Sequence, residues 1–106
     1  MAKVDVSVVQ GVVKVEPDTL PMGGQGHNAT IEWKLNTPGW TFPSDGIVIE
    51  GNDGQFKHLR PIDHGLKFQC TDTNNDSKSY KYTVKVTNGT STLEKDPIIQ
   101  NGDGTS

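Results

Sequence analysis

The stretch at residues 79–93, SYKYTVKVTNGTSTL, constrains the fold of this chain more than any other. In its first half a tyrosine or valine occupies every second position, and lysine or threonine stands between them. Because successive side chains of a β-strand point to opposite faces of a sheet, this alternation predicts a strand with one buried and one solvated face. Asn88-Gly89 follows at once and favours a two-residue hairpin turn. We therefore predict an antiparallel closing hairpin of residues 79–87 and 90–97.

The two-residue turn also predicts which residues face each other across the hairpin. Val84 is expected opposite Leu93 on the buried face, and Lys81 opposite Asp96 on the solvated face. Such cross-strand pairs contribute roughly 0.2–1 kcal/mol each. A slip of one residue would turn Leu93 toward water, so the buried face should fix the register.

The same pattern of period two recurs along the rest of the chain, interrupted by turns rich in Gly, Pro, Asn and Asp. No stretch keeps an apolar period of about 3.6 residues, so no long helix is expected. The further predicted strands lie at 4–8, 12–15, 28–36, 40–42, 47–49 and 66–71. About seven strands at roughly ten-residue spacing are typical of an all-β sandwich. We expect one domain at residues 1–99 and a flexible C-terminal tail at residues 100–106.

Composition and charge exclude several classes of function. The chain has 106 residues and a net charge of −3, and its ten Lys and Arg residues are scattered, so no nucleic-acid partner is expected. It contains no apolar run of the roughly 18 residues that a membrane span requires. The N-terminus lacks the apolar segment of a signal peptide, which leaves a cytoplasmic protein and a mature exported form as open interpretations. We expect a monomer.

Asp76, Tyr80 and Tyr82 have the spacing Asp-x-x-x-Tyr-x-Cys that opens strand F of immunoglobulin-like domains, with Tyr82 in the place of the cysteine. Together with the tight turn that follows, this stretch resembles the closing hairpin of bacterial immunoglobulin-like domains of the PKD kind. Residues 96–101 also resemble the C-terminal part of a group of small uncharacterised bacterial proteins. The resemblance implies an immunoglobulin-like β-sandwich in which Tyr80 is the corner tyrosine that bonds nearby backbone, and it implies no specific activity.

Cys70 and the histidines raise the alternative of a copper or zinc site. The resemblance to cupredoxins stops at the copper loop, because no His or Met follows Cys70 in the chain. His58 and His64 share the parity of Cys70 but would leave a zinc ion without a fourth ligand. We interpret Cys70 as a small buried hydrophobe on one face with Leu66 and Phe68, and we expect no cofactor and no metal. A degenerate cupredoxin-like metal protein stays an alternative.

The acidic segment at residues 72–78 has two interpretations. Asp72, Asn74 and Asp76 resemble the first three ligands of an EF-hand loop, but the glycine and the bidentate glutamate of such a loop are missing. Asp and Asn also form turns by bonding their own backbone, so we interpret the segment as a polar turn.

The stretch at residues 37–45, TPGWTFPSD, contains Trp40 and Phe42 among glycine and prolines. An exposed aromatic platform there would suit a sugar ring or the apolar side chain of a partner, whereas the alternative is that the rings belong to the core.

We predict a non-enzymatic binding or interaction module that presents the loops of a β-sandwich to a protein partner, because the chain has no signature of an activated nucleophile. A carbohydrate-binding module that uses Trp40 and Phe42 is the alternative. The predicted partner-binding residues are Trp40, Phe42, Asp72 and Asn74.

Overall fold

The computed structural model describes residues 1–102, which form a β-sandwich of two sheets. This part of the chain contains no α-helix and has a 3₁₀ turn at Asp63–Gly65. Its strands are β1 Ala2–Val9, β2 Val12–Glu16, β3 Thr19–Pro21, β4 Ala29–Leu35, β5 Ile47–Ile49, β6 Phe56–Ile62, β7 Lys67–Asp72, β8 Ser79–Thr87, β9 Thr92–Lys95 and β10 Ile98–Gln100. The predicted all-β sandwich is therefore confirmed, with more strands than the seven or so expected.

The additional strands arise where glycine or proline interrupts the alternation. Gln10 and Gly11 have positive φ angles of 52° and 76° and turn the N-terminal segment into the hairpin β1–β2. Pro97 separates β9 from β10, yet both strands pair with β8 in one continuous register. β6 contains Pro61 and lies at the edge of its sheet, where one side of the strand needs no backbone donor.

Each sheet mixes parallel and antiparallel pairs. The first sheet has the order β2-β1-β4-β7-β6, in which β1 runs parallel to β4. The second sheet has the order β3-β10-β8-β5, in which β3 runs parallel to β10 and β9 also pairs with β8. β8 therefore lies between β5 on one side and β9 with β10 on the other.

Three aromatic residues, Trp33, Phe68 and Tyr82, form the centre of the core and are fully buried. The Trp33 ring contacts Phe68 and Tyr82 edge to face, with centroids 6.4 and 5.6 Å away. The buried face predicted for β8 is confirmed, because all its tyrosines and valines are buried. Leu66, predicted on the buried face of β7, instead precedes that strand and is 42% exposed.

The closing hairpin is antiparallel as predicted, but its register differs by two residues. Leu93 lies opposite Val86 and not opposite Val84. Because the shift is even, Leu93 stays on the inner face and packs partly buried against the core. Lys81 and Asp96 are not directly opposite as predicted, although the ammonium and carboxylate groups are 4.0 Å apart along a diagonal.

The turn of this hairpin contains four residues, Asn88 to Ser91, and not two. The side-chain Oδ1 of Asn88 accepts hydrogen bonds from the backbone N–H groups of Thr90 and Ser91 at 3.0 and 2.7 Å. Asn88 thus forms a turn with its own side chain, and this interaction moves the start of β9 to Thr92.

The C-terminal segment joins the domain further than predicted. Gln100 ends β10, and the side chain of Asn101 is 2% exposed. The predicted tail therefore does not begin at residue 100. Residues 103–106 of that tail lie outside the described residues.

Candidate functional site

The segment that contains Trp40 and Phe42 closes one side of the sandwich. Thr41 forms an isolated backbone bridge with Thr87, and the Phe42 N–H donates to the Gly65 carbonyl at 2.7 Å. Phe42 is 3% exposed, so its side chain belongs to the core, and its contact with a partner stays a prediction. Trp40 is partly buried and packs against the same core.

Asp72 and Asn74 are also buried, with exposures of 0%. The side chain of Asn74 connects three segments: its Nδ2 donates to the carbonyls of Met22 and Gly26 at 3.0 and 2.9 Å, and its Oδ1 accepts from the Gly102 N–H at 2.8 Å. Oδ1 of Asp72 accepts from the Asn74 N–H at 2.9 Å. These buried side chains hold neighbouring loops together, and their contact with a partner stays a prediction.

Around these two residues lies a group of polar side chains that we call the polar cluster. Its members are Gln55, Asp72, Asn74, Asp76, Tyr80 and Asn101. Within the cluster, Nδ2 of Asn101 donates to Oδ1 of Asp76 at 3.0 Å and to Oε1 of Gln55 at 3.3 Å. The cluster joins the loops after β3, β5 and β7 to the end of β10, so one end of the sandwich has a fixed loop geometry.

The resemblance to immunoglobulin-like domains implies that the Tyr80 hydroxyl bonds nearby backbone. In the structure it donates instead to Oδ2 of Asp76 at 2.5 Å. Burial raises the pKa of Asp76, but the hydrogen bonds from Tyr80 and Asn101 outweigh it and lower the pKa overall. Asp76 is therefore an ionised acceptor at the rim of the cluster.

The pKa of Asp72 is shifted in the opposite direction to that of Asp76. Burial raises its pKa to about 6, and the negative charge of Asp76 contributes in the same direction. In the described part of the chain, Oδ2 of Asp72 and Oδ1 of Asn101 are buried without a hydrogen-bond partner. The cluster thus contains one carboxyl group that takes up its proton at a higher pH than an ordinary aspartate does.

An open cleft of about 440 Å³ lies beside the polar cluster. Its lining residues are Glu50, Gly51, Lys78, Ser79, Tyr80 and Lys81. Lys78 is the last residue of the acidic segment at residues 72–78, so one end of that segment lies at a surface cleft. The lining includes the exposed residues Lys78, Lys81 and Glu50, and the Asp96 carboxylate lies 4.0 Å from the Lys81 ammonium group outside the lining.

A second cleft of about 320 Å³ lies between the edges of the two sheets, where β2 approaches β9. Its lining residues are Val12, Val13, Lys14, Val15, Glu16, Asp18 and Lys95. Its charges are balanced, with two lysines and two acidic residues.

Cys70 is 2% exposed, and burial raises the pKa of its thiol far above the ordinary range. The interpretation of Cys70 as a small buried hydrophobe is consistent with this setting. His58 and His64 are exposed on positive-φ backbone. Across residues 1–102, no three His, Cys, Asp or Glu side chains come together in a way that could hold a metal ion.

Sequence reasoning missed three parts of this end of the molecule: Gln55, Asn101 and the backbone of residues 78–81. For Asp72 a signal existed, because the alternation of buried positions on β7 continues from Phe68 through Cys70 to Asp72. Asn101 lies far from this segment in sequence, and no local pattern links them.

No model of a known protein family matches the chain, and no curated protein matches it by sequence. Among the described residues there is no helix with the length and apolar character to cross a membrane.

Proposed function

We propose that this protein is a non-catalytic binding module that engages a protein partner through the cleft at Glu50, Gly51 and residues 78–81. The observation that carries the proposal is this open cleft, which is lined by two lysines and one glutamate and shares Tyr80 with the polar cluster. Loops held by buried hydrogen bonds lose little conformational freedom on binding, which favours affinity. An end of this kind suits recognition more than catalysis, because its buried carboxyl groups bond the protein's own loops.

The proposal includes an immunoglobulin-like type of sandwich. Tyr82 stands where the F-strand cysteine of such domains is expected, and its hydroxyl accepts a hydrogen bond from Nε1 of Trp33 in the other sheet at 3.0 Å. A buried connection between the two sheets at this position supports the kinship, whereas the Tyr80 hydroxyl departs from it by bonding the Asp76 side chain and not nearby backbone.

A protein partner is favoured over a sugar by the surfaces that the loops offer. The ring of Phe42 lies in the core, and that of Trp40 packs against it, so neither ring is an open platform for a sugar. The cleft instead offers ammonium groups and strand backbone, which suit carboxylate and peptide groups.

Site-specific photo-crosslinking tests the proposal. A photoreactive amino acid replaces Lys78 in the cleft, and a matched variant carries it in place of Lys14 in the second cleft. In an extract of the source cells we expect a protein adduct at position 78 that excess unlabelled protein suppresses and that Lys81→Glu weakens. An adduct at position 14 alone, or none at either position, would show that the partner does not bind at this cleft.

A further inference from the structure

At the cleft, the edge of β8 on the β5 side has no strand paired with residues 79–81 in the described part of the chain. β5 pairs with β8 only from Ile47–Val84 to Ile49–Tyr82, and then the chain turns away at Glu50-Gly51. Gly51 has a φ of 68°, a conformation that directs the chain off the sheet. Residues Ser79 to Lys81 therefore keep β10 on one side and have only the cleft on the other.

The backbone groups that point into the cleft follow from two hydrogen bonds. The Tyr82 N–H donates to the Pro97 carbonyl at 3.0 Å on the β10 side, and the Lys81 carbonyl accepts from the Glu50 N–H at 2.9 Å on the β5 side. Because polar groups of successive strand residues point to opposite edges, those of Ser79 and Lys81 face the cleft and those of Tyr80 face β10. The Lys81 N–H and both backbone groups of Ser79 thus offer an open strand edge.

The side chains around this edge define what can lie against it. Lys78 and Lys81 are exposed beside the edge, whereas Glu50 is the one acidic residue of the lining. Lys81 is 4.0 Å from Asp96, at exposures of 56% and 50%, so this ion pair is weak and exchangeable. Tyr80, whose side chain is buried, and Gly51, which has no side chain, also line the cleft.

We propose that the edge of β8 at Ser79–Lys81 accepts an extended segment of a partner protein by β-strand addition, and that this segment alternates acidic with apolar residues. Strand addition takes its affinity from main-chain hydrogen bonds and its specificity from every second side chain. The outward side chains of the segment lie near Lys78 and Lys81 and are acidic. The inward side chains lie over Tyr80 and Gly51 and are apolar. This inference rests on the proposed function and names the partner class for the same cleft.

Peptide titration with the complete protein labelled with ¹⁵N tests the inference. The probe is the acetylated, amidated peptide Glu-Val-Glu-Val-Glu. One control has the same charge but carries proline in place of both valines and cannot form the ladder. A second control, Lys-Val-Lys-Val-Lys, keeps the strand propensity and reverses the charge.

With the first peptide we expect saturable amide shifts at Ser79, Lys81 and Gly51, and slower hydrogen exchange of the Lys81 amide. Lys81→Glu should weaken binding by about two- to fivefold, as expected for an exposed charge pair, and the matched variant Lys14→Glu should leave it unchanged. Equal binding of the proline peptide, preference for the lysine peptide, or an equal loss in both variants would overturn strand addition.

Two other outcomes also overturn the inference. Absence of shifts at millimolar peptide excludes an accessible edge. Protection of the Lys81 amide in free protein, together with dimers in sedimentation, assigns the edge to a second copy of the chain. If crosslinking at position 78 succeeds while the peptides fail to bind, the proposal of a binding module stands and only strand addition is wrong. If crosslinking fails while the peptide binds, the proposal that a cellular partner binds at this cleft is wrong.

Discussion

Nε1 of Trp33 on β4 donates a hydrogen bond to the hydroxyl of Tyr82 on β8 across a length of 3.0 Å, and both side chains are 0% exposed. The bond joins the two sheets at the centre of the core. Burial raises the pKa of Tyr82 far above its ordinary value, so the hydroxyl is neutral at physiological pH. The aromatic centre of the core therefore contains a specific polar connection, separate from the buried polar cluster at the end of the sandwich.

Removal of the Tyr82 hydroxyl should destabilise the folded protein, although the substitution deletes a single oxygen atom. We expect Tyr82→Phe to lower the free energy of unfolding by about 1–3 kcal/mol, because Nε1 of Trp33 is left buried without an acceptor. Urea unfolding followed by circular dichroism measures the change. The matched cycle with Trp33→Phe and the double variant isolates the bond: the Tyr82→Phe effect should shrink once the indole N–H is absent. An equal effect in both backgrounds would show that the bond contributes nothing to stability.

Asp72 should make the stability depend on pH between about 4 and 6. Burial raises its pKa to about 6 in the folded protein, above roughly 3.9 in an unfolded chain. The folded state therefore binds this proton more tightly, so the stabilising contribution is complete below about pH 4 and is lost as the pH rises through about 6. Asp76 is the charged group that acts on Asp72, and the lowered pKa of Asp76 places its own transition below this window.

The Asp72→Asn variant tests this dependence. The difference in unfolding free energy between the variant and the parent should shift in favour of the variant by up to about 3 kcal/mol between pH 4 and pH 7. Ser44→Ala, which changes an exposed residue and removes no titratable group, is the control and should give a flat difference over the same range. A flat difference for Asp72→Asn as well would contradict a raised pKa.

Asn74→Ala should increase local opening of the loops that the polar cluster joins more than it increases global unfolding. The substitution removes the acceptor of the Gly102 N–H and the donor to the carbonyls of Met22 and Gly26. We expect a loss of at least about 2 kcal/mol, since several buried backbone groups lose their partners. Hydrogen exchange of the Gly102 amide should accelerate most. Asn75→Ala, at the exposed next residue, should leave that amide unchanged, and similar acceleration in both variants would argue against the role of Asn74.

Cys70 should be inert toward thiol reagents in the folded protein. A buried thiol with a raised pKa supplies almost no thiolate for attack. Ellman's reagent should therefore react with Cys70 only as fast as the protein unfolds. The variant Ser91→Cys places a second thiol in the exposed turn and should react with one equivalent of reagent at once. Rapid reaction of both thiols would show that Cys70 is accessible.

The sequence predicts the parts of this fold that depend on local alternation. The buried face of β8 and the strand at β4 follow from side-chain period alone, because a sandwich buries one face of each strand. The hairpin turn was predictable in position but not in length. Asn88-Gly89 fits a two-residue turn, yet the Asn88 side chain bonds Thr90 and Ser91 and stabilises a longer one.

The candidate site could be predicted less well than the fold. A polar residue in a turn is usually solvated, and only contacts remote in sequence bury Asn74 and Asp72. Phe42 enters the core because its backbone bonds Gly65 more than twenty positions along the chain, a pairing that no local pattern contains. The open edge of β8 likewise depends on where β5 ends, which is decided by the turn at Glu50-Gly51.

The four-residue turn of the closing hairpin has a practical consequence. β8 is nine residues long, so its two ends are roughly 26 Å apart at about 3.3 Å per residue. The cleft lies at one end of the strand, and the exposed Asn88–Ser91 turn lies at the other. A tether or fluorophore attached to the thiol of a Ser91→Cys variant would orient the molecule on a surface with its cleft facing the solution.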